Sequence, residues 1–160
     1  MIKRWLVIVV GCSTLFLSLT VKLQSGKAQV VPVNAPCQSY KIGMDTSGLP
    51  EIQGLSNTQT VWVLFFPYHF PVWSDEDLKI VWRMTGSGDF SLTAQHTDGT
   101  MIEPIWGPEA HSGSSWRRPG DEWGTAFRFP KAGCWRILVK RGADTGQVDL
   151  LVVPNQYTFF

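Results

Sequence analysis

One stretch of twenty residues holds most of the side chains that could do chemistry. Residues 105–124 read IWGPEAHSGSSWRRPGDEWG and combine indoles, carboxylates, guanidinium groups and an imidazole. The candidate ligand-binding residues in this stretch are Trp106, Glu109, His111, Trp116, Arg117, Arg118, Asp121, Glu122 and Trp123. Flat indoles stack on sugar faces or on aromatic groups, while the charged groups hydrogen-bond hydroxyls. The stretch therefore predicts a recognition surface at a long loop between strands.

A structural interpretation of the same stretch stays open beside the functional one. Indoles and arginines can pack as a plug over the end of a β-domain, with a turn at Pro119 and Gly120. In that case Asp121 or Glu122 would neutralise one of the two neighbouring arginines, at positions 117–118. The residue types alone do not separate a plug from a binding surface.

Enzymatic interpretations have less support. The three carboxylates of the stretch could form a glycosidase pair, but such a pair needs a defined separation that the sequence does not give. The serines of residues 112–115 lie near His111, yet the G-x-S-x-G elbow of serine hydrolases is missing. We therefore expect a non-enzymatic protein with no catalytic residues.

Copper binding is another alternative function. Imidazole and thioether ligands suit copper, and an exported β-domain could offer both. The available side chains are His69, His96, His111, Met44, Met84 and Met101. Only His96 and Met101 lie within a few residues of each other, and Met84 falls on an inward strand position. The expectation is therefore no metal and no cofactor.

Composition limits the other classes of function. The chain has 160 residues, of which 44% are hydrophobic and 17% charged, and this suits one globular domain with a real core. The formal net charge is only +1. Binding to a phosphate backbone needs several clustered cations, so nucleic acid is not an expected partner.

The first 28 residues predict an export signal or a signal anchor. Lys3 and Arg4 precede residues 5–21, which contain no charged side chain and are apolar on all sides. Seventeen helical residues span about 26 Å, slightly less than the hydrocarbon core of a bilayer. The remainder of the chain is then exported, either anchored and facing outward or released as a secreted or periplasmic domain.

Three fates of this N-terminal segment remain open. Cleavage after Ala28 would use Gly26 and Ala28 as the small residues of a signal peptidase site. The segment could also stay uncleaved as a membrane anchor. The third fate is lipidation, since Val-Val-Gly-Cys at residues 9–12 is similar to a bacterial lipobox, which would make Cys12 a lipidation site.

The other two cysteines, Cys37 and Cys134, agree with export. They form an even pair in a compartment that export makes oxidising, and this predicts a disulfide. A bridge across 97 positions would stabilise the fold by about 4.7 kcal/mol in the chain-entropy model. Two unpaired thiols are the alternative. No C-x-x-C spacing supports a metal site at either residue.

The remaining pattern predicts an all-β domain. Alternating or wholly apolar runs typical of strands occur at residues 60–66, 78–84, 89–95, 124–129, 134–141 and 147–153. Residues 85–88 (TGSG) suit a hairpin between the second and third runs, and residues 44–58 have a loop composition. We expect an immunoglobulin-like antiparallel β-sandwich over 59–154, preceded by a tether at 29–58 and followed by a tail at 155–160.

The sequence also resembles a protein group. The segments WGPEAHSGSSW, RPGDEWGTAFRFPKAGCWRILVKRG and QVDLLVV look like those of uncharacterised exported bacterial proteins that end in a Pro-x-x-Gly-Cys-Trp strand. The likeness spans residues 61–153. It implies an immunoglobulin-like domain in the cell envelope and no catalytic residues. We therefore expect a binding or structural role, with a cell-wall glycan or an envelope protein as partner and a carbohydrate-binding or cell-wall-binding module as the first alternative.

Overall fold

The structure is a computed structural model that describes Cys37 and residues 41–156. The predicted signal or anchor segment, the cleavage site after Ala28 and the lipidation of Cys12 lie outside the described residues, as does most of the tail. No helix in the described part is long and apolar enough to cross a membrane.

Twelve strands make up the described domain. They are β1 (Gly43–Met44), β2 (Pro50–Gln53), β3 (Leu55–Ser56), β4 (Val61–Phe66), β5 (Val72–Trp73), β6 (Asp77–Met84), β7 (Phe90–His96), β8 (Met101–Ile102), β9 (Trp106–His111), β10 (Asp121–Arg128), β11 (Gly133–Arg141) and β12 (Asp144–Val153). The first sheet has the order β1-β2-β4-β6-β10-β9. The second has the order β3-β12-β11-β7-β8, with β5 beside β12. The predicted all-β sandwich is confirmed.

The core lies between the two sheets, where the alternating side chains meet. Strand β6 turns Leu78, Ile80, Trp82 and Met84 inward, as its alternation predicts, and all four are fully buried. The inward positions of the second sheet include Leu92, Ala94, Trp135, Ile137, Val139, Val148 and Leu150. The predicted faces of these strands are therefore confirmed, and hydrophobic burial between the sheets holds the sandwich together.

The predicted hairpin at residues 85–88 is wrong. Strand β6 pairs with β4 and β10 in the first sheet, whereas β7 pairs with β11 and β8 in the second. The TGSG segment therefore carries the chain from one sheet to the other. The inward side chains of β6 and β7 then pack against each other across the core. The ring centroids of Trp82 and Phe90 are 6.4 Å apart there.

Two regions predicted as loops contain strands. Residues 44–58 hold most of the short strands β1, β2 and β3, which are too brief to show an alternating pattern. Residues 105–124 hold β9 and the start of β10, so the loop between them is only 112–120. Every residue of β9 is exposed, which removes the burial signal by which sequence patterns identify strands.

The predicted disulfide is present. Cys37 and Cys134 are bonded, with their Cα atoms 5.3 Å apart. Cys134 is the second residue of β11 and precedes the inward-facing Trp135, so its side chain lies on the outer face of the second sheet, as the alternation of β11 predicts. The bridge therefore fixes Cys37 to that outer face.

Candidate functional site

The outer face of the first sheet carries a second hydrophobic cluster. Leu64 on β4 and Val81 on β6 point away from the main core, and they are buried under Trp116. Trp116 belongs to residues 112–120, which we call the cover loop because it lies over this face. An apolar side chain on an outer sheet face is stabilised by such a cover, since the cover removes it from water.

Two contacts to one carboxylate hold the cover loop to β2. Nε1 of Trp116 donates a hydrogen bond to Glu51 at 2.9 Å. Arg118 pairs with the same carboxylate, and its guanidinium carbon lies 4.3 Å from the ring centroid of Trp62. Glu51 is only 5% exposed, so its charge is buried and is compensated by Arg118 and the indole N–H.

The end of the cover loop requires a glycine. Gly120 has a φ of +98°, and a Cβ at this position would lie 2.3 Å from the backbone of Met84. Any other residue would strain the backbone and collide with β6. This close approach brings the loop directly onto the sheet before β10 begins.

A polar network lies beside Trp116. Arg83 on β6 and Glu122 on β10 are paired in register, and Nε of Arg83 donates to Oε2 of Glu122 at 2.7 Å. Oγ of Ser114 donates to the same oxygen at 2.6 Å, and Nη1 of Arg83 donates to the carbonyl of Arg118 at 2.8 Å. The network therefore connects two strands of the sheet to the cover loop.

The second oxygen of Glu122 has no hydrogen bond from the described residues. The Glu122 side chain is 2% exposed, and Nδ1 of His111 lies 2.9 Å from Oε1 without the alignment that a hydrogen bond needs. An unsatisfied buried carboxylate oxygen is costly, because it has lost its water without gaining a full partner. Oε1 therefore lies against the His111 ring and is closed off from solvent.

A pocket of about 200 Å³ opens between the cover loop and strands β4 and β6. Its apolar wall consists of Leu49, Leu64, Phe66, Val81 and Trp116. Its polar groups are Asp45, Ser47, Lys79, His111, Ser114, Ser115 and Glu122. Such a mixture of apolar surface and convergent polar groups is typical of ligand sites, although this pocket is smaller than the ~300 to 1,000 Å³ of drug-sized ones.

An exposed indole lies next to the pocket. Trp106 on β9 is 45% exposed. A Cβ built on Gly124 of β10 would lie 3.0 Å from Cη2 of Trp106 and 3.8 Å from Cδ2 of His111. These two ring atoms are therefore at most 6.8 Å apart, the sum of the two distances. Because Gly124 has no side chain, the Trp106 ring can lie against the sheet beside His111.

The structure divides the nine sequence-predicted site residues. His111, Trp116 and Glu122 line the pocket, Arg118 instead holds the cover loop to Glu51, and Trp106 lies near His111. Trp123 instead packs against the core, with its ring 4.3 Å from that of Phe90, and Asp121 pairs with Arg141. Glu109 and Arg117 are exposed. The region is thus partly a plug and partly an open surface.

The predicted neutralisation of Arg117 or Arg118 by the neighbouring acids is wrong. Arg118 pairs with Glu51, and Glu122 pairs with Arg83. Sequence reasoning missed these partners, because Arg83 occupies an outward position that resembles a solvated one and Glu51 lies in a region predicted as loop. The only available signal was Val81, an apolar residue among the outward positions of β6.

The three histidines considered as copper ligands do not form a common cluster in the structure. Each lies beside a carboxylate, in the pairs His69 with Glu76, His96 with Asp98 and His111 with Glu122. Met84 is fully buried in the core.

Among the described residues, the one cluster of three side chains with suitable ligand atoms for a metal is Cys37, Cys134 and Asp149. It does not fit a metal, because its sulfurs are joined and Arg136 binds Asp149 at 2.8 and 2.9 Å.

Comparison with known proteins adds no assignment. The chain matches no family model, and neither the curated proteins nor the solved structures contain a significantly similar one.

Proposed function

We propose that this chain is a non-enzymatic, exported cell-envelope domain that binds a ligand or partner through the outer face of its first sheet. The observation that carries the proposal is the pocket beneath the cover loop. It combines an apolar wall with convergent polar groups, among them the accessible side chains of His111 and Ser115. Apolar surface beside polar groups that stay accessible is typical of ligand sites.

The sandwich is of the immunoglobulin-like type in this proposal. Strand order supports it, because β4-β6-β10-β9 follows the A-B-E-D order of such domains and β12-β11-β7 follows their G-F-C order. The parallel pairing of β5 with β12 adds to this support, since it brings the chain after the A strand beside the G strand. The pocket then lies on the A-B-E-D sheet.

Export is supported by two independent features. Residues 5–21 contain no charge and follow Lys3 and Arg4, as in an export signal. The disulfide between Cys37 and Cys134 suits an oxidising compartment. The domain is then either held outward on a membrane or released after cleavage near Ala28.

A carbohydrate-binding or cell-wall-binding module is the more specific candidate function. The exposed ring of Trp106 beside the pocket favours it, because indoles provide a flat apolar surface for sugar rings. No comparable observation favours the copper alternative.

Binding of the full chain to isolated cell envelopes tests the proposal. We expect saturable binding that Trp106→Ala and His111→Ala weaken. Leu151→Ala is the control, because Leu151 is a large apolar residue that is 56% exposed on β12 of the second sheet, whereas the pocket lies on the first. Equal binding by all four proteins would overturn the proposed site.

Mass spectrometry of the protein isolated from membranes tests its location. An intact N-terminus indicates an anchor, a start at Gln29 indicates cleavage, and a diacylated Cys12 indicates lipidation. A reporter fused after residue 60 that stays in the cytosol would contradict export altogether.

A further inference from the structure

We infer that the surface formed by Trp106 and the pocket beneath the cover loop takes a neutral, hydroxyl-rich ring, a hexose unit within an uncharged glycan chain. This inference rests on the proposed function, because it names the class of ligand for that same site. It excludes anionic wall polymers and cationic peptides as the preferred ligands.

Geometry supports a ligand that uses an apolar face and a polar edge together. The Trp106 ring offers an exposed apolar surface, and His111, at most 6.8 Å from it, faces the pocket. A sugar ring has this same combination of faces, with C–H groups on one side and hydroxyls around the edge. A purely aliphatic ligand would leave the polar half of the site without hydrogen bonds.

The accessible polar groups of the pocket suit a hydroxyl. Oε1 of Glu122 is closed off from solvent, with Nδ1 of His111 2.9 Å away, so the exposed groups of the lining are the ones that a ligand can reach. The side chain of His111 is 40% exposed, and the exposed Ser115 adds a hydroxyl to the same pocket. These groups can both donate and accept, which suits hydroxyls because they do the same.

The charges around the pocket cancel. Glu122 is paired with Arg83, which leaves Asp45 and Lys79 as the other acidic and basic side chains of the lining besides His111. Asp45 is already engaged, because it accepts hydrogen bonds from the backbone and hydroxyl of Ser47 and from the backbone of Leu49. An anionic polymer would need several free cations, and the lining contains one lysine and no arginine.

The size of the pocket favours a unit of a chain over a whole oligosaccharide. A volume of about 200 Å³ is below the usual range for a complete small-molecule ligand. One ring, or an exocyclic group of one ring, can enter while its neighbours lie outside across Trp106. A polymer or oligomer then binds more tightly than the free monosaccharide, since only the longer ligand contacts both parts of the site.

Calorimetric titration of the full chain tests the inference, in a detergent that carries no sugar headgroup. The neutral ligands are cellohexaose and the hexamer of N-acetylglucosamine, with their monosaccharides as the length control. The anionic ligand is polygalacturonate, and the cationic one is a lysine-rich peptide. We expect at least one neutral hexamer to bind, with affinity that stays constant between low and high salt.

Variants locate the binding. We expect Trp106→Ala to weaken the neutral hexamer about tenfold, and Gly124→Ala to weaken it less, because the added methyl displaces the Trp106 ring. Leu151→Ala is again the control, because Leu151 is exposed on β12 of the second sheet, whereas Trp106 and the pocket lie on the first. Thermal unfolding of each variant confirms that it folds.

The outcomes separate the inference from the proposed function. Preference for polygalacturonate or for the peptide, with affinity that falls as salt rises, overturns the neutral-glycan inference but keeps the site if Trp106→Ala weakens binding. Failure of both neutral hexamers also overturns the inference, and envelope binding that still depends on Trp106 then preserves the proposed function. Hexamer binding unchanged in Trp106→Ala overturns the placement of the ligand.

Discussion

The carboxylate of Glu51 accepts a hydrogen bond from Nε1 of Trp116 at 2.9 Å, although 65 residues separate the two in the sequence. Both residues are buried, and Arg118 binds the same carboxylate. The contact joins the cover loop to β2, so the wall of the pocket depends on two distant segments. It also explains why the charged side chain of Glu51 is tolerated at a buried position of β2.

Trp116 is expected to matter for stability and Trp106 for binding. Trp116→Ala should lower the free energy of unfolding by about 3 kcal/mol, near the low end for a buried indole, because its cluster on the outer face is small. Trp106→Ala should change it by less than about 0.5 kcal/mol, since the ring is exposed. Urea unfolding measures both. Equal losses in the two variants would contradict this division.

The disulfide is expected to contribute strongly to stability. Replacing Cys37 and Cys134 by serine should lower the free energy of unfolding by about 4 kcal/mol, because the bridge closes a span of 97 positions. Urea midpoints of the double variant and of the reduced protein measure the loss, and Cys12→Ser is the control. In the unreduced full chain, alkylation should modify one of its three cysteines. Modification of three would show that the bridge is absent.

A buried hydrogen bond in the core provides a third test. Nε1 of Trp82 donates to Oγ1 of Thr125 at 2.9 Å, and neither residue is exposed. Thr125→Val should destabilise the protein by about 1 to 3 kcal/mol, because it leaves the indole N–H without an acceptor. In the background of Trp82→Phe, which lacks that N–H, the same change should cost less. A double-mutant cycle measures the difference, and strict additivity would argue against the bond.

Acid should weaken a surface interaction at Asp98. The Lys131 ammonium is the main group that holds the pKa of Asp98 well below its ordinary value of 3.8, with the backbone N–H of Thr100 second. The unfolded chain has the ordinary value and binds more protons in acid. The stabilisation is therefore present above about pH 4 and is lost as pH falls further, towards the folded pKa.

Comparison with Asp98→Asn isolates this effect. The variant should be less stable than the wild type at pH 7, and the difference should shrink progressively below about pH 4. Because Asp98 is half-exposed, salt should also reduce the difference. Urea unfolding at several pH values checks this expectation, and a difference that grows in acid would contradict it.

The long strands with one buried face were predictable, whereas the very short strands and the exposed strand were not. β6, β7, β11 and β12 alternate in sequence because one side of each faces the core, so their inward residues agree with the prediction. Their bounds agree to within one residue except at β12, which begins at Asp144 and not at residue 147. β2 is too short to alternate, and β9 is exposed on both sides. Period-two patterning reports burial, and it is silent where burial is absent.

The members of the site were partly predictable, but their partners were not. The concentration of indoles and charges in residues 105–124 singled out His111, Trp116 and Glu122 as candidates, and the structure places these three around one pocket. Nothing in the local sequence related Glu122 to Arg83 or Trp116 to Glu51. These pairs depend on strand register and on the path of the cover loop, which are long-range properties.

By itself, the sequence determined the β-class of the domain and the inward face of each long strand, and it favoured a disulfide between Cys37 and Cys134 over two free thiols. It could do so because hydrophobic alternation is local and because only two cysteines follow the predicted leader. Only the tertiary structure decided that β6 and β7 belong to different sheets, that the cover loop buries Trp116 and that Glu122 keeps an unsatisfied oxygen beside His111. These features follow from packing between segments that are far apart in the chain. The local sequence patterns are compatible with several such packings, and the burial of apolar surface over the whole domain selects one of them.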